Sequence, residues 1–495
     1  MKRLLLAAVA ALALAARTAA PAHTQLVIVV DGLRPDYVTP EVMPRLYRLG
    51  QRGIVFNAHH SSFPTVTRVN ASSFVTGSYP ETHGLMGNTI YIPSTDATRG
   101  LDTGERENLL KVEAHEKLLT APTLGEILHQ RGRTLMAVSS GSSGSAYLLN
   151  QEFADGPIVH NDFVKPASLA GDVAALLGPA PEQTAPDDGQ NRRAVDAYVK
   201  VGLEHVRPDV TFMWLTDPDH TAHGAGIGAP LTRKSLELVD ACIGRIQDDL
   251  AARGLLDRVN ILVTSDHGFS THTGEFRLEA LLAPFAGKMA DGSPDLVVAE
   301  GAIYLRGNHD ANRVKAIVAR LQERPEVGAI FTRARVPGST EGAAPGTLSF
   351  DVVRWNHVRS GDILVSANWS DQANAAGFKG MTTQRGVAGH GTSSPYDVHN
   401  TLIAAGPDFR EHATSDVPTA NVDIAPTLLR LLGLPAQSTM TGRVIEEGLR
   451  GGASAGEVAH TTVSASTPDA HYVVTAHLST VNGYRYFDFT EVKRR

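Results

Sequence analysis

Val259-Asn260-Ile261-Leu262-Val263-Thr264-Ser265-Asp266-His267-Gly268 is a short apolar run, rich in β-branched residues, that stops on Asp-His-Gly. Two other runs behave alike: Leu26-Val27-Ile28-Val29-Val30 ends on Asp31, and Thr211-Phe212-Met213-Trp214-Leu215 is followed by Asp217 and Asp219. Runs of this length and composition read as strands buried on both faces, as in a parallel sheet. Ligands of such sheets gather beyond the carboxyl ends of the strands. Aspartates at three strand ends, with His220, His223, His267 and the distant Gly389-His390-Gly391, are therefore expected to meet, and that donor set suits a metal. A single strand-end aspartate is commonly only the cap of the next helix. Three of them, joined by Asp-His-Gly at 266–268 and by Asp-x-x-x-His at Asp219 and His223, favour a metal site.

The rest of the chain sets bounds. Its 495 residues, 42% hydrophobic and 20% charged, suit a large α/β domain with insertions or two domains. Lys2 and Arg3, the apolar stretch 4–16 and the small residues up to Ala22 read as a secretory signal peptide, cleaved near Ala20 or Ala22. The stretch is short for a membrane span, and no other segment is a candidate for one. Localisation is therefore expected to be periplasmic or secreted. The formal net charge of −7 argues against a basic nucleic-acid-binding surface. Cys242, the single cysteine, lies in the stripe Leu236, Val239, Ile243, Ile246, Leu250, which predicts a buried thiol on a helix.

Strand and helix alternate. Helices are predicted over 44–51, 123–130, 191–206 and 231–253, each near a strand, which argues for a central, mostly parallel sheet flanked by helices. Beyond Asp266 the pattern becomes mixed, with a hairpin-like pair around 348–354 and 362–368, and the chain re-enters the sheet at Thr401-Leu402-Ile403-Ala404-Ala405. The division expected is signal peptide 1–22, catalytic α/β core 23–274 and 386–450, an inserted α+β cap subdomain 275–385, and a β-rich tail 451–495 in which Asn482-Gly483 marks a hairpin. Asp423 is expected to cap a helix over 424–432.

Downstream of Asp31 stand Ser62-Phe63-Pro64-Thr65-Val66-Thr67-Arg68-Val69-Asn70, then Thr76-Gly77-Ser78-Tyr79-Pro80-Glu81-Thr82-His83-Gly84 and Asn88. These segments resemble the nucleotide pyrophosphatase/phosphodiesterase family of the alkaline phosphatase superfamily. The resemblance implies an alkaline phosphatase-like fold and a hydrolase of phosphate esters, with Thr67 as nucleophile passing through a covalent phosphothreonine-type intermediate and Asn88 holding a phosphoryl oxygen. It also implies two divalent metal ions, zinc by analogy: one held by Asp31, Thr67, Asp266 and His267, the other by Asp219, His223 and His390. Asp217 stands where the family often has glutamate, and His220 falls outside the ligand set. Physical chemistry agrees, because a threonine hydroxyl is a poor nucleophile unless a metal or base activates it. Thr67 is expected to open a helix over 68–76, whose free amides favour an anion; the simpler role is that of a plain Thr N-cap.

The expected partner is a small-molecule phosphate ester, a phosphodiester or pyrophosphate. The family often carries an aromatic residue after the nucleophile, where this chain has Arg68. Arg68 is a candidate for gripping a second anionic group on the substrate, or else a solvated cation at a helix start. The run Ser139-Ser140-Gly141-Ser142-Ser143-Gly144-Ser145-Ala146 lacks the Lys or Arg that a monoesterase would aim at a terminal phosphate, which favours a diesterase. It is either a lining of the site or a flexible loop. The rival readings are an alkaline phosphomonoesterase on the same site and a non-catalytic exported metal-binding protein. A sulfatase is disfavoured, because no Cys or Ser followed by x-Pro-x-Arg lies in the region after Asp31. His83, His272, His309 and His399 are taken as structural or surface residues.

Overall fold

The run ending at Thr264 forms the strand Val259–Thr264, which lies beside Thr24–Val30 in a ten-stranded sheet in the computed structural model, which describes residues 22–307 and 310–495. The signal segment and His309 lie outside the described residues. Thr24–Val30 pairs in parallel with Val259–Thr264 on one side and with Val210–Leu215 on the other, and Leu135–Ser139 continues the parallel order. All three Asp-terminated runs are thus adjacent, and their carboxyl ends leave the sheet along one edge. Their residues alternate between two cores. Val27, Val29, Phe212 and Trp214 pack on one face, while Leu26, Ile28, Val30, Met213 and Leu215 pack on the other. Strands buried on both faces leave no polar side, which is why the runs read as unbroken apolar segments.

His399–Ala405 re-enters the sheet antiparallel, between Val259–Thr264 and Ile54–His60. The flanking helices include Pro44–Arg52, Leu124–His129 and Pro230–Ala252. Leu124–His129 begins with a capping box between Thr123 and Glu126, the pairing that Thr-x-x-Glu encodes. Pro230–Ala252 buries Cys242, whose thiol is pushed up to about 12 by that burial. The helical stretch 188–206 divides into an α-helix, Asp188–Asp196, and a wider π-helical segment, Ala197–Val206.

Residues between the two halves of the central sheet build a five-stranded sheet of their own with the helix Ala311–Gln322 beside it. No hairpin joins 348–354 to 362–368. Leu348–Ser349 pairs with Val327–Thr332 and runs into the helical turn Phe350–Val353, while Ile363–Ala367 pairs with Ala302–Leu305 and Val327–Thr332. Both runs are apolar enough to be strands, but they flank Val327–Thr332 on its two sides instead of pairing with each other. Asp423 also departs from expectation: it precedes the helix Ile424–Leu431, yet its carboxylate accepts from Ala420 N, Arg443 N and the Tyr486 hydroxyl instead of capping the helix. The C-terminal strands Ala459–Ser466, Tyr472–Val481 and Tyr484–Arg494 form a three-stranded antiparallel sheet that turns at Asn482-Gly483.

Candidate metal centre

At the carboxyl edge of the central sheet the aspartates and histidines converge. Asp219, His223 and His390 form one group whose donor atoms lie within 4.8 Å of one another; Asp31, Asp219 and His267 form a second. Asp219 belongs to both, so the groups adjoin, and the His267 and His390 rings stack at 3.5 Å between centroids. Asp266 stands against the second group, with Oδ2 3.0 Å from His267 Nε2. Asp266 and His267 are fully buried.

The local sequence explains this placement. Thr67 occupies the first turn of the helix Thr67–Thr76, behind Val66 at the N-cap position, and its side chain does not cap the helix. The hydroxyl instead lies 3.3 Å from His267 Nε2. The plain N-cap role is thereby excluded. Thr65 is otherwise engaged: its hydroxyl donates to Thr392 O and accepts from Gly391 N, and its carbonyl accepts from His390 Nδ1 at 2.8 Å. Glycine is required at 268, where backbone closes in, while at 389 it leaves room for the His272 ring. A Cβ on Gly268 would stand 2.0 Å from Tyr396 O, and one on Gly389 would stand 2.6 Å from His272 Cε1.

All three imidazoles are built alike. Nδ1 of His223 faces Ala388 O at 3.0 Å, Nδ1 of His267 faces Gly268 O at 2.9 Å, and Nδ1 of His390 faces Thr65 O. A carbonyl only accepts, so each Nδ1 carries a proton and each Nε2 is turned inward as a potential ligand. Asp31 Oδ1, Asp219 Oδ1 and Asp266 Oδ2 are buried and receive no hydrogen bond as long as the Nε2 atoms facing them are unprotonated. Three buried carboxylate oxygens without donors would be costly by themselves, and a divalent cation is the partner that suits them. The residues therefore fit metal.

The charges are strongly coupled. Burial, with Asp266 and Asp219 beside it, pushes Asp31 well above the usual carboxylate range. Burial acts the same way on Asp219, but His223 and His390 outweigh it and hold that carboxyl low. Asp219 in turn pushes His223 up to about 9. Burial lowers His267, yet Asp266 carries it above its ordinary value, while burial and His267 together push His390 down.

Asn88 sits beside the start of the helix. Its side-chain oxygen accepts from Arg68 N at 3.0 Å, leaving the NH2 group as the free donor end. Arg68 faces two carboxylates, Asp102 at 3.7 Å and Glu300. The run 139–146 is the end of a strand followed by the helix Ser143–Leu148, capped by Ser142, rather than a flexible linker. Asp217 accepts from Asp187 N and the Thr221 hydroxyl, and neither it nor His220 joins a metal group among the described residues.

Two residues of this centre left no mark in the sequence reading. Trp214 Nε1 donates to Asp31 Oδ2 at 2.9 Å, and its place in an apolar run disguised it as core. Glu300 accepts from Asn88 N and Thr89 N, with its own backbone in the left-handed region at φ 59°. Nothing local marks a glutamate in a mixed segment as a partner of Asn88.

A family model described as type I phosphodiesterase / nucleotide pyrophosphatase matches residues 25–392. Among curated proteins, ectonucleotide pyrophosphatase/phosphodiesterase family member 1 of Mus musculus is 28% identical over 246 residues, 49% of this chain and 24% of its own length. Family member 3 of Rattus norvegicus is 25% identical over 241 residues, covering 48% and 24%. The venom phosphodiesterase of Naja atra is 24% identical over 241 residues, covering 48% and 25%. The matched segment thus spans about a quarter of the length of these relatives. Among solved structures, murine ectonucleotide pyrophosphatase/phosphodiesterase 5, in an inactive Thr-to-Ala form with AMP, superposes with a TM-score of 0.61 at 19% identity, over 86% of this chain and 100% of that one. A variant of alkaline phosphatase PafA gives 0.63 at 17%, over 88% and 100%. At these identities the likeness speaks for the fold, which is alkaline phosphatase-like. The match over residues 25–392 places the chain in the type I phosphodiesterase / nucleotide pyrophosphatase family.

Proposed function

We propose that this chain is an exported, metal-dependent phosphoesterase that hydrolyses phosphodiester or pyrophosphate bonds with Thr67 as nucleophile. The observation that carries the reading is the Thr67 hydroxyl, 3.3 Å from His267 Nε2, at the start of a helix and beside three buried carboxylate oxygens that lack hydrogen bonds. Asp31, Thr67, Asp266 and His267 would hold one ion and Asp219, His223 and His390 the other; zinc suits these nitrogen and oxygen donors. When bound, two such ions supply positive charge to the attacking and the leaving oxygen.

The chain's own groups do the rest. Asp31, Asp219 and Asp266 supply three negative charges, so a two-ion centre keeps a net charge of about +1 and draws in an anionic ester. Thr67 Oγ1 attacks phosphorus and gives its proton to solvent, which in turn protonates the departing ester oxygen. The bond to the leaving ester oxygen breaks in line, and the phosphoryl group remains on Thr67. Water then attacks phosphorus, which releases the product and restores the hydroxyl. The Asn88 NH2 group donates to a non-bridging oxygen, where charge grows. The cap proposed over 275–385 contributes Glu300, which holds the Asn88 backbone. The absence of Lys and Arg from 139–146 favours a diester over a monoester. Export rests on the N-terminal pattern of residues 1–22. No helix among the described residues is long and apolar enough to cross a membrane.

The test is hydrolysis of bis-p-nitrophenyl phosphate against p-nitrophenyl phosphate, with and without a chelator. Chelator-sensitive cleavage that prefers the diester is expected. A zinc-loaded protein that cleaves neither overturns the reading, and a strong preference for the monoester replaces diesterase with phosphomonoesterase.

A further inference from the structure

An imidazole whose Nδ1 faces a backbone carbonyl and whose Nε2 faces a carboxylate, as in His223 and His267, is also found at His60, two strands along the same edge of the sheet. His60 ends the strand Ile54–His60, His399 begins the antiparallel strand His399–Ala405, and the two are register partners. Their rings lie 4.4 Å apart between centroids. Asp488, on the last strand of the C-terminal sheet, completes a group whose donor atoms fall within 4.8 Å of one another. None of the three belongs to the centre around Asp219.

We propose that His60, His399 and Asp488 form a further divalent-cation site, with zinc as the ion its donors suit, that clips the C-terminal sheet to the edge of the central one. His60 Nδ1 lies 2.9 Å from Thr419 O and Nε2 lies 2.9 Å from Asp488 Oδ1. The carbonyl claims the Nδ1 proton, which leaves the Nε2 lone pair facing a carboxylate unless a proton or a cation stands between them. With bonds of about 2.0–2.2 Å to nitrogen and oxygen, two ligands of one tetrahedral zinc ion are roughly 3.4 Å apart, so Asp488 Oδ1 would draw back from His60 Nε2 by about half an ångström to admit the ion. Burial keeps His399 neutral, its pKa pushed down to about 3, so its ring has a lone pair to offer. Burial works against ionisation of Asp488, but the His60 bond and the Ser479 hydroxyl, 2.7 Å from Oδ2, hold it below its ordinary value. A ligating carboxylate is typically braced in this way by a second hydrogen bond. His399 is partly exposed, which leaves a side open for water as the fourth ligand.

The neighbours support a clip rather than a second reaction centre. Tyr486 stacks on His60 at 5.7 Å, and its hydroxyl donates to Asp423. His59, one residue away, lacks the pattern: its ring nitrogens face Thr419 Oγ1 and Asn421 Oδ1, both at 2.9 Å. Side-chain partners, not a carboxylate, occupy that ring.

The experiment loads the full chain with zinc, removes the excess and counts ions by elemental analysis in the wild type, Asp488→Asn and His399→Gln. Each variant is expected to retain one zinc per chain fewer than the wild type, and to hydrolyse phosphate esters within about twofold of it. Equal zinc counts in all three proteins overturn the proposal. Should either substitution prevent folding, anomalous zinc scattering from wild-type crystals decides: a peak among His60, His399 and Asp488 supports the site, and no peak there overturns it. Neither readout depends on the phosphoesterase reading, because both count or locate ions and not turnovers.

Discussion

Trp214 Nε1 donates a 2.9 Å hydrogen bond to one oxygen of Asp31 and leaves the other, equally buried, without a donor. Trp214 sits on the parallel strand next to the one that ends just before Asp31, where Val29 pairs with Trp214. An indole offers one N–H and no acceptor, so it fixes the carboxylate in one orientation and keeps Oδ1 turned to the centre.

Trp214→Phe removes that donor while keeping an aromatic ring in the core. Zinc affinity is expected to fall by about 10–100-fold, the usual effect of losing a group that orients a ligand. Titration against a competing chelator measures it, and an unchanged affinity would take Asp31 out of the ligand set.

Thr67→Ala should cut turnover by about a thousandfold or more and leave zinc content nearly intact, since Thr67 is one donor among several. Activity near the wild-type level would move the nucleophile elsewhere, first to Thr65. Thr65→Val should act differently, by loosening the loop around Gly391 and lowering zinc retention together with rate.

His390→Ala should empty one of the two proposed metal positions, because its Nε2 and that of His223 both lie 3.3 Å from Asp219 Oδ1 and losing one ring leaves a single imidazole with the carboxylate. Elemental analysis before and after substitution reads the loss directly. An unchanged stoichiometry would remove His390 from the ligands.

In the metal-free protein Asp219 pushes His223 up to about 9, so the ring is charged at neutral pH and an entering ion must displace a proton. Zinc affinity is expected to rise as pH increases from 6 to 9 and then level off. The sign for stability is opposite: a raised histidine pKa gives the metal-free fold a contribution complete below the unfolded value near 6.5 and lost as pH passes through about 9. The Tm of metal-free wild type compared with metal-free His223→Gln across this range checks it. Identical profiles would show that the pair adds nothing.

Glu300→Ala should slow hydrolysis with little change in zinc content, because it frees Asn88 N and Thr89 N and removes a charge facing Arg68. A loss of about 1–3 kcal/mol in transition-state binding is expected. Glu300→Gln keeps an acceptor and should recover part of it; kcat and KM for both variants give the answer.

The sequence alone was enough for the central sheet, because strands buried on both faces are written as apolar runs, and it nominates the candidate ligands, because each follows such a run or stands in a short motif such as Asp266-His267-Gly268. Periodicity and motifs are local, and these features are local too. Tertiary structure decided what depends on which segments meet: Asp219 shared between two donor groups, Trp214 behind Asp31, and Glu300 reaching Asn88 from a separate sheet. It also put His399, read from sequence as a structural or surface residue, beside His60 and Asp488. A side chain's partners across strands follow from register and packing, and neither is recorded in the residues next to it.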